Sequence, residues 1–389
     1  MQPFELSRVP AIFFGPGSLK RLKREVAERI APGSAVMIIA DPAMHKLGWT
    51  DRVSAMLAEA GMRTALYADF QGEPKVSEID RAAASARTLE AELVVGIGGG
   101  SALDTAKLVA AATTRSGISA AAYALCDTPL PLDALPVIAI PTTAGTGSEV
   151  TRTSVFALET GVKTWAWGDP LKPVAALLDP ELTLTLPPPL TAATALDALV
   201  HAIEATTNAR RNPGNDLYCH RAIDLISRNL EPAVRDGSDL AARSGLLLGS
   251  CYAGIAIDNA GTALAHNISH AVAALAPIAH GRATALAMLA TMDWVAEAVP
   301  EAFAGVARAM GEAAEPTAAV AGFARVVRES GLEISLRGDG LELNRPDLLA
   351  AQMARPENAP MRKATVRPVR EDDLVMLAQR FYRLTDASR

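Results

Sequence analysis

The feature that most constrains the fold is an alternation between short apolar runs and longer amphipathic stretches over residues 1 to about 188. Such alternation is typical of βα units. Several of the short runs are too uniformly apolar to have an exposed face, which indicates a parallel sheet covered by helices. The predicted strands are Ala11–Phe14, Ala35–Ala40, Thr64–Ala68, Leu93–Gly96, Pro136–Ile140 and Ala175–Leu178.

The rest of the chain has a helical pattern. After Leu186-Pro187-Pro188-Pro189-Leu190, strand signals nearly vanish and Ala- and Leu-rich segments with helical spacing continue to the end. We therefore predict an α/β domain over residues 1–188 and an all-helical domain over residues 189–389. Examples of predicted helices are Gly245–Ala256, Phe303–Met310 and the closing segment Glu371–Leu384.

Two segments depart from these patterns. Thr153–Leu158 and Val162–Trp167 flank the turn Glu159-Thr160-Gly161, which predicts a β-hairpin inside the first domain. Arg337–Asn358 is rich in charge and in proline, and we expect it to be a partly irregular connection.

Composition excludes several classes of protein. The chain has 389 residues, half of them hydrophobic, which is enough for two compact domains. Its net charge of −6 provides no basic face for a nucleic acid. We expect no export signal and no membrane span, because the first residues lack a basic or apolar signal region and the apolar stretches end before about 18 residues. Three widely spaced cysteines speak against disulfides and a thiolate zinc site, and they fit a reducing cytoplasm: Cys126, Cys219 and Cys251.

A glycine-rich turn follows one of the predicted strands. Leu93-Val94-Val95 leads into Gly96-Ile97-Gly98-Gly99-Gly100-Ser101, and Ala102–Ala112 is compatible with a helix. Backbone amides at such a helix start can hold a pyrophosphate, although an ordinary tight strand-to-helix turn has the same pattern. No acidic ribose ligand follows at the usual spacing of about 20 residues. Asp41 closes an earlier strand instead, and a carboxylate there would favour NAD over NADP by repelling a 2′-phosphate.

A second polar loop, Pro141–Glu149, follows the strand Pro136–Ile140. Its hydroxyls and amides suit the lining of a ribose or phosphate site, and they equally suit a Thr/Ser turn that caps a helix. The loop is not a P-loop, because it lacks the Gly-Lys-Ser/Thr ending.

Five of the six histidines lie in the predicted helical domain, and four of these are candidates for a metal site: His201, His266, His270 and His280. Asp197 and His201 are four residues apart, as are His266 and His270, and His280 follows. That spacing places each pair on one helix face. Carboxylate and imidazole ligands suit Fe²⁺ or Zn²⁺ better than Mg²⁺ or Ca²⁺. Each histidine taken singly is equally compatible with a packing or capping role, which is how we interpret His45 and His220.

Together these motifs resemble the iron-containing, group III alcohol dehydrogenases. The resemblance covers nearly the whole chain and rests on Phe14-Gly15-Pro16-Gly17, Gly98-Gly99-Gly100-Ser101-x-x-Asp104-x-x-Lys107, Pro141–Glu149, Asp197-x-x-x-His201, His266-x-x-x-His270 and His280-Gly281.

The resemblance implies a dehydroquinate synthase-like architecture. In it, an N-terminal α/β domain with a parallel sheet binds NAD(P), an all-α C-terminal domain binds metal, and the active site lies in the cleft between them. It also implies a homo-oligomer, with a homodimer as the expected form, and a small primary alcohol or aldehyde as substrate. Iron is the expected metal, with zinc as an alternative.

The family pattern also assigns site residues. His270 corresponds to a histidine close to the substrate, which we expect to relay a proton, with a packing role as the alternative. The implied metal ligands are Asp197, His201, His266 and His280. The implied cofactor contacts are Asp41, Gly99, Gly100, Ser101, Thr142, Thr143, Thr146 and Lys163.

Three departures from the family pattern lie beside these residues. The family's Pro-His-Gly is Ala279-His280-Gly281, its small residue after the third ligand is Asn267, and its Pro-Asn-Pro is Gly72-Glu73-Pro74. Glycerol dehydrogenases, dehydroquinate synthase-like lyases and maleylacetate reductases are the alternatives within this architecture. The alternative of another class is a non-catalytic metal- or nucleotide-binding protein, against which the intact set of aspartate and histidines argues.

Overall fold

A computed structural model describes residues 3–70 and 72–386 of the chain. Six of its strands form one parallel sheet in the order β1-β8-β5-β4-β2-β3. The predicted parallel sheet is therefore confirmed, and the strand bounds agree with the predictions to within two residues. The sheet strands are β1 (Ala11–Phe14), β2 (Ala35–Ala40), β3 (Arg63–Tyr67), β4 (Ala91–Gly98), β5 (Val137–Pro141) and β8 (Ala175–Leu178).

The sheet has a hydrophobic core on each face. Successive apolar side chains of its central strands point alternately to one face and to the other. In β2, Met37 and Ile39 pack into the cluster on one face, whereas Val36 and Ile38 pack into the cluster on the other. All six residues of β2 are buried. A strand buried on both faces explains the unbroken apolar run in its sequence.

The predicted hairpin is present as a separate two-stranded antiparallel sheet. Its strands are β6 (Thr153–Ala157) and β7 (Lys163–Trp167). Leu158 N–H donates to the Val162 carbonyl and Gly161 N–H donates to the Leu158 carbonyl, which closes the turn.

Five helices accompany the sheet, and α5 starts directly after the glycine-rich end of β4. Its observed bounds include the predicted helix Ala102–Ala112. The five helices are α1 (Leu22–Ala27), α2 (Pro42–Lys46), α3 (Trp49–Glu59), α4 (Val76–Leu89) and α5 (Gly100–Thr113).

The second half of the described chain contains helices and no strand of either sheet. The segment predicted to be irregular, Arg337–Asn358, contains one short α-helix, α13, and ends in the 3₁₀ helix Pro356–Asn358, and its remaining described residues have no regular structure. The helices are α6 (Pro188–Thr207), α7 (Pro213–Arg235), α8 (Leu240–Ala260), α9 (Leu264–Ala273), α10 (His280–Ala296), α11 (Pro300–Ala309), α12 (Pro316–Glu329), α13 (Pro346–Met353), α14 (Ala359–Ala364) and α15 (Glu371–Thr385).

Helix α8 is long and apolar enough to cross a membrane by length and composition alone. In the folded protein, 61% of its most apolar window is buried. Core helices of globular proteins have the same length and composition, so this helix is weak evidence for a membrane span.

By its internal contacts the chain divides into two compact units. The α/β unit consists of Arg8–Thr143 and Ser148–Thr183. The helical unit consists of the described residues of Met1–Ser7, Ala144–Gly147 and Leu184–Arg389. The assignment of nucleotide binding to residues 1–188 and of metal binding to residues 189–389 concerns function and stays a prediction.

Candidate functional site

Three helices of the helical unit bring the predicted metal ligands together. Helix α6 carries Asp197 and His201, α9 carries His266, and α10 begins at His280. Helix α6 starts with proline at its first position, where the missing N–H costs nothing. Alanine and leucine then continue it for five turns, so the i,i+4 pair shares one face.

The donor atoms of these residues surround Asp197. Its Oδ1 lies 3.5 Å from His280 Nε2 and 3.6 Å from His266 Nε2, and its Oδ2 lies 3.9 Å from His201 Nε2. Donor atoms of Asp197, His201 and His266 all lie within 4.8 Å of one another. These three side chains are buried, whereas His280 keeps 29% of its side chain exposed. The cluster therefore has one side open to a small molecule.

The arrangement fits a single divalent ion. Four ligands bound tetrahedrally at about 2.1 Å lie about 3.4 Å from one another, close to the observed separations. Among the described residues, neither Asp197 Oδ1 nor His266 Nε2 has a hydrogen-bond partner, although both atoms are buried. Because buried polar atoms are rarely left unsatisfied, this pair indicates a place for a cation.

The electrostatics of the cluster favour positive charge beside Asp197. Burial works to raise the pKa of Asp197, but His201, His280 and His266 outweigh it and hold that pKa well below its usual range. Burial lowers the pKa of His201 to about 4, which keeps this imidazole neutral and able to bind metal. At His266 burial also works to lower the pKa, but Glu204 and Asp197 raise it to about 9.

Helix α6 contributes one more side chain that sequence patterns did not single out. Glu204 is 2% exposed, and its Oε2 lies 2.6 Å from His266 Nδ1. It is three residues after His201 and seven after Asp197, so all three share one helix face. That spacing was the available signal, but the sequence does not show which histidine such a glutamate would reach.

The predicted proton relay, His270, lies beside the cluster. Its ring centroid is 5.3 Å from that of His280 and 6.5 Å from that of His266. It is half-buried, one turn along α9 from His266. Of the remaining histidines, His45 is exposed and close to Thr50, and His220 is half-buried and close to Thr206.

Close packing of α10 on α6 sets the position of His280. A Cβ at Gly281 would lie 2.1 Å from the Ala193 carbonyl oxygen and 3.3 Å from Asp197 Cβ. Glycine therefore allows the start of α10 to approach the backbone of α6, and His280 is the preceding residue.

In the α/β unit, residues predicted to bind the cofactor meet at the carboxyl edge of the sheet. Asp41 N–H donates to the Ile97 carbonyl across β2 and β4, and Thr142 N–H donates to the Gly98 carbonyl across β4 and β5. Parallel pairing of these three strands thus brings Asp41 beside the glycine-rich turn, although they are far apart in sequence. Ligands of open parallel sheets bind at this edge.

The turn itself requires glycine. Gly98 has a φ of +148°, and a Cβ there would lie 2.7 Å from both Ala102 Cβ and Asp41 Cβ. Gly99 is the N-cap of α5, and Gly100 and Ser101 start its first turn. A cavity of about 290 Å³ opens at this point, lined by Asp41, Pro42, Phe70, Gly72 and Ser101. The start of α5 is thus accessible to a ligand.

The second polar loop is divided between the two units. Thr142 and Thr143 belong to the α/β unit, and a Cβ at Gly99 would touch the Thr143 side chain. Thr146 belongs to Ala144–Gly147, which packs with the helical unit. A Cβ at Gly147 would lie 2.3 Å from Gly254 Cα of α8.

Lys163, the remaining predicted cofactor contact, begins β7 and forms an ion pair with Glu73 at 2.9 Å. Glu73 belongs to the segment that departs from the family pattern. Both side chains are partly exposed, so the ion pair leaves Lys163 accessible to solvent.

A buried ion pair lies behind the glycine-rich turn. Lys107 is fully buried, its Nζ lies 2.9 Å from Asp104 Oδ1, and it donates to the Ser148 carbonyl. Glu149 is also buried, and burial raises its pKa to about 7 against the opposing effect of Lys107. These contacts connect α5 to the end of the second polar loop.

Comparison with known proteins identifies the family. The sequence model described as "Iron-containing alcohol dehydrogenase" matches residues 10–180, and "Fe-containing alcohol dehydrogenase family, C-terminal" matches residues 191–382. The chain belongs to the iron-containing alcohol dehydrogenase family. Membership makes it a metal-dependent, NAD-linked oxidoreductase and confirms the family predicted from the sequence motifs.

Individual members of this family are similar over most of the chain. Long-chain-alcohol dehydrogenase 1 of Geobacillus thermodenitrificans is 39% identical over 78% of this chain and 76% of its own length. The crystal structure of a 1,3-propanediol oxidoreductase has a TM-score of 0.89 at 31% identity, with 98% and 100% of the chains covered. Sulfoacetaldehyde reductase of Bifidobacterium kashiwanohense, solved in complex with NAD⁺, has a TM-score of 0.88 at 27% identity over both full chains.

Proposed function

We propose that this member of the iron-containing alcohol dehydrogenase family interconverts a small primary alcohol and its aldehyde with NAD(H). Asp197, His201, His266 and His280 would hold one divalent ion. The observation that carries this proposal is the convergence of three imidazoles on Asp197, where two buried atoms, Asp197 Oδ1 and His266 Nε2, have no hydrogen-bond partner among the described residues.

When bound, a divalent ion supplies Lewis acidity, which lowers the pKa of an alcohol hydroxyl or polarises an aldehyde, and the nicotinamide carries the hydride. The protein's part is to hold both reactants in position and to exclude water. Three imidazoles and one carboxylate suit Fe²⁺ and Zn²⁺ alike, so the ligand set does not select one of the two metals. The family description favours iron. The exposed side of His280 is where a substrate oxygen would enter.

The nucleotide would bind at the carboxyl edge of the sheet. Amides of Gly99, Gly100 and Ser101 at the start of α5 suit the pyrophosphate, and Asp41 beside them suits a ribose hydroxyl. Its negative charge favours NAD over NADP. Thr142, Thr143, Thr146 and Lys163 are proposed as further cofactor contacts by the family pattern.

His270 would relay the alcohol proton towards solvent. It lies next to His280 but is not needed to complete the ligand set, and an imidazole titrates near neutral pH. The expected homodimer and cytoplasmic location stay predictions. None of Cys126, Cys219 and Cys251 is in a disulfide in the described part of the chain, which fits a reducing compartment.

The test is a panel of primary alcohols with NAD and aldehydes with NADH. The protein is first stripped by chelation and then loaded with Fe²⁺ or, separately, with Zn²⁺. Loading should restore turnover, His266→Ala should retain little metal, and His45→Ala should behave as the wild type because the His45 side chain is exposed. Full turnover after exhaustive chelation would contradict the proposal.

A further inference from the structure

We propose that Glu204 is a positioning residue that holds His266 in the tautomer able to bind metal and fixes helix α9 to helix α6. The inference rests on the proposed metal site, to which it adds a residue outside the set of ligands.

Glu204 makes three short contacts with the start of α9. Its Oε2 accepts a hydrogen bond from Ala263 N–H at 2.7 Å and lies 2.6 Å from His266 Nδ1. Its Oε1 accepts from Ala265 N–H at 2.7 Å. Both oxygens of a buried carboxylate are therefore occupied by donors from a single helix start.

The contact with His266 determines which ring nitrogen carries the proton. An ionised carboxylate only accepts hydrogen bonds, so Nδ1 must be the donor. The lone pair of a neutral His266 then lies on Nε2, the atom 3.6 Å from Asp197 Oδ1. A ring held in this way points Nε2 at the metal site, and an arriving ion takes the place of any proton there.

The two backbone contacts replace a cap that α9 does not provide for itself. Ala263 is its N-cap residue and has no side chain that could accept a hydrogen bond. Glu204 supplies the acceptor from α6, the helix that also carries Asp197 and His201. One carboxylate thereby fixes the distance between the two helices that provide three of the four proposed ligands.

Glu204→Gln tests the control of the His266 tautomer and the capping of α9 with little change in side-chain size. Only one amide oxygen remains as an acceptor, and the NH₂ group must face either a backbone N–H or His266. Facing His266, it donates to Nδ1 and moves the ring proton to Nε2, where metal binds. We expect a 10–100-fold weaker affinity for Zn²⁺, measured by chelator competition, which is the usual loss when the partner of a metal-binding histidine is removed.

Asp239→Ala is the matched control, because Asp239 caps α8 of the same unit by accepting from Ala242 N–H at 2.9 Å. Both variants should lower the Tm of the metal-free protein, and only Glu204→Gln should also weaken metal binding. Wild-type affinity in Glu204→Gln with a lowered Tm would reduce Glu204 to a helix cap and overturn the proposal. A wild-type protein that binds no Zn²⁺ would instead contradict the metal site itself.

A measurement on the wild type covers the case in which Glu204→Gln does not fold. In Zn²⁺-loaded protein with ¹⁵N-labelled histidine, long-range ¹H–¹⁵N spectra report which nitrogen of each ring carries a proton. His266 should be protonated at Nδ1 and bound to metal through Nε2. Metal on Nδ1 would overturn the role given to Glu204.

Discussion

Gly281→Ala should separate α10 from α6 and so displace His280. The added Cβ would lie 2.1 Å from the Ala193 carbonyl oxygen, which is backbone and has no rotamer to change. To restore an ordinary contact of about 3.4 Å, the two helices must move apart by about 1.3 Å, and such overpacking costs about 1–3 kcal/mol of stability. Ligand distances in a metal site vary by only about 0.2 Å. We therefore expect at least about a tenfold loss of metal affinity, equal to about 1.4 kcal/mol.

The assay combines calorimetric unfolding of the metal-free protein with chelator competition for Zn²⁺. Gly322→Ala is the control, because Gly322 lies inside α12 and the atoms nearest to its new Cβ belong to the flexible side chains of Glu312 and Met310. Wild-type metal affinity in Gly281→Ala would refute the argument that the approach of α10 to α6 positions His280.

Three further variants test other parts of the account. Asp41→Asn removes the negative charge but keeps an acceptor for Ala43 N–H. The ratio of kcat/KM for NAD to kcat/KM for NADP should therefore fall by about tenfold or more. An unchanged ratio would contradict the role given to Asp41. His270→Ala should lower kcat by about 10²–10⁴-fold at unchanged metal content, whereas full activity would exclude the proton relay. Glu149 has a pKa raised from 4.5 to about 7 by burial, so its contribution to stability is present below pH 4.5 and is lost as pH rises through 7. Glu149→Gln should therefore gain up to about 3 kcal/mol over the wild type between pH 5 and pH 8.5, and parallel pH profiles of unfolding would contradict this.

Local patterns were sufficient for the sheet and for the histidine cluster. Strand β2 is buried on both faces, so its unbroken apolar run identified it. The i,i+4 spacing of Asp197 and His201 depends only on helix geometry, and their helix could be predicted from its alanine and leucine content. Such features are decided within about a dozen residues of sequence.

Contacts between distant segments could not be predicted in the same way. The sequence indicated that Asp41 ends a strand, but only the pairing of β2 with β4 places it beside Gly98. Asn267 was recognisable as a departure from the family pattern, yet its bonds to the carbonyls of Met353 and Asn358 depend on how α9 packs. The contacts of Glu204 could not be predicted either, because its partners lie about 60 residues further along the chain.

The position of Ala144–Gly147 shows a further limit of local patterns. This segment lies in the middle of the second polar loop but packs with the helical unit. A Cβ at Gly145 would lie 2.8 Å from Thr194 Cβ of α6. Glycine there is required by a neighbour about 50 residues away in sequence, which no local pattern reveals.

The central claim is that one divalent ion binds to Asp197, His201, His266 and His280. Anomalous diffraction from crystals of the iron-loaded protein, with data collected on both sides of the iron absorption edge, tests it most directly. The account predicts a single peak per chain at about 2.1 Å from the Nε2 atoms of the three histidines and from a carboxylate oxygen of Asp197. A peak elsewhere in the chain, or no peak at these residues in protein that is active, would contradict it.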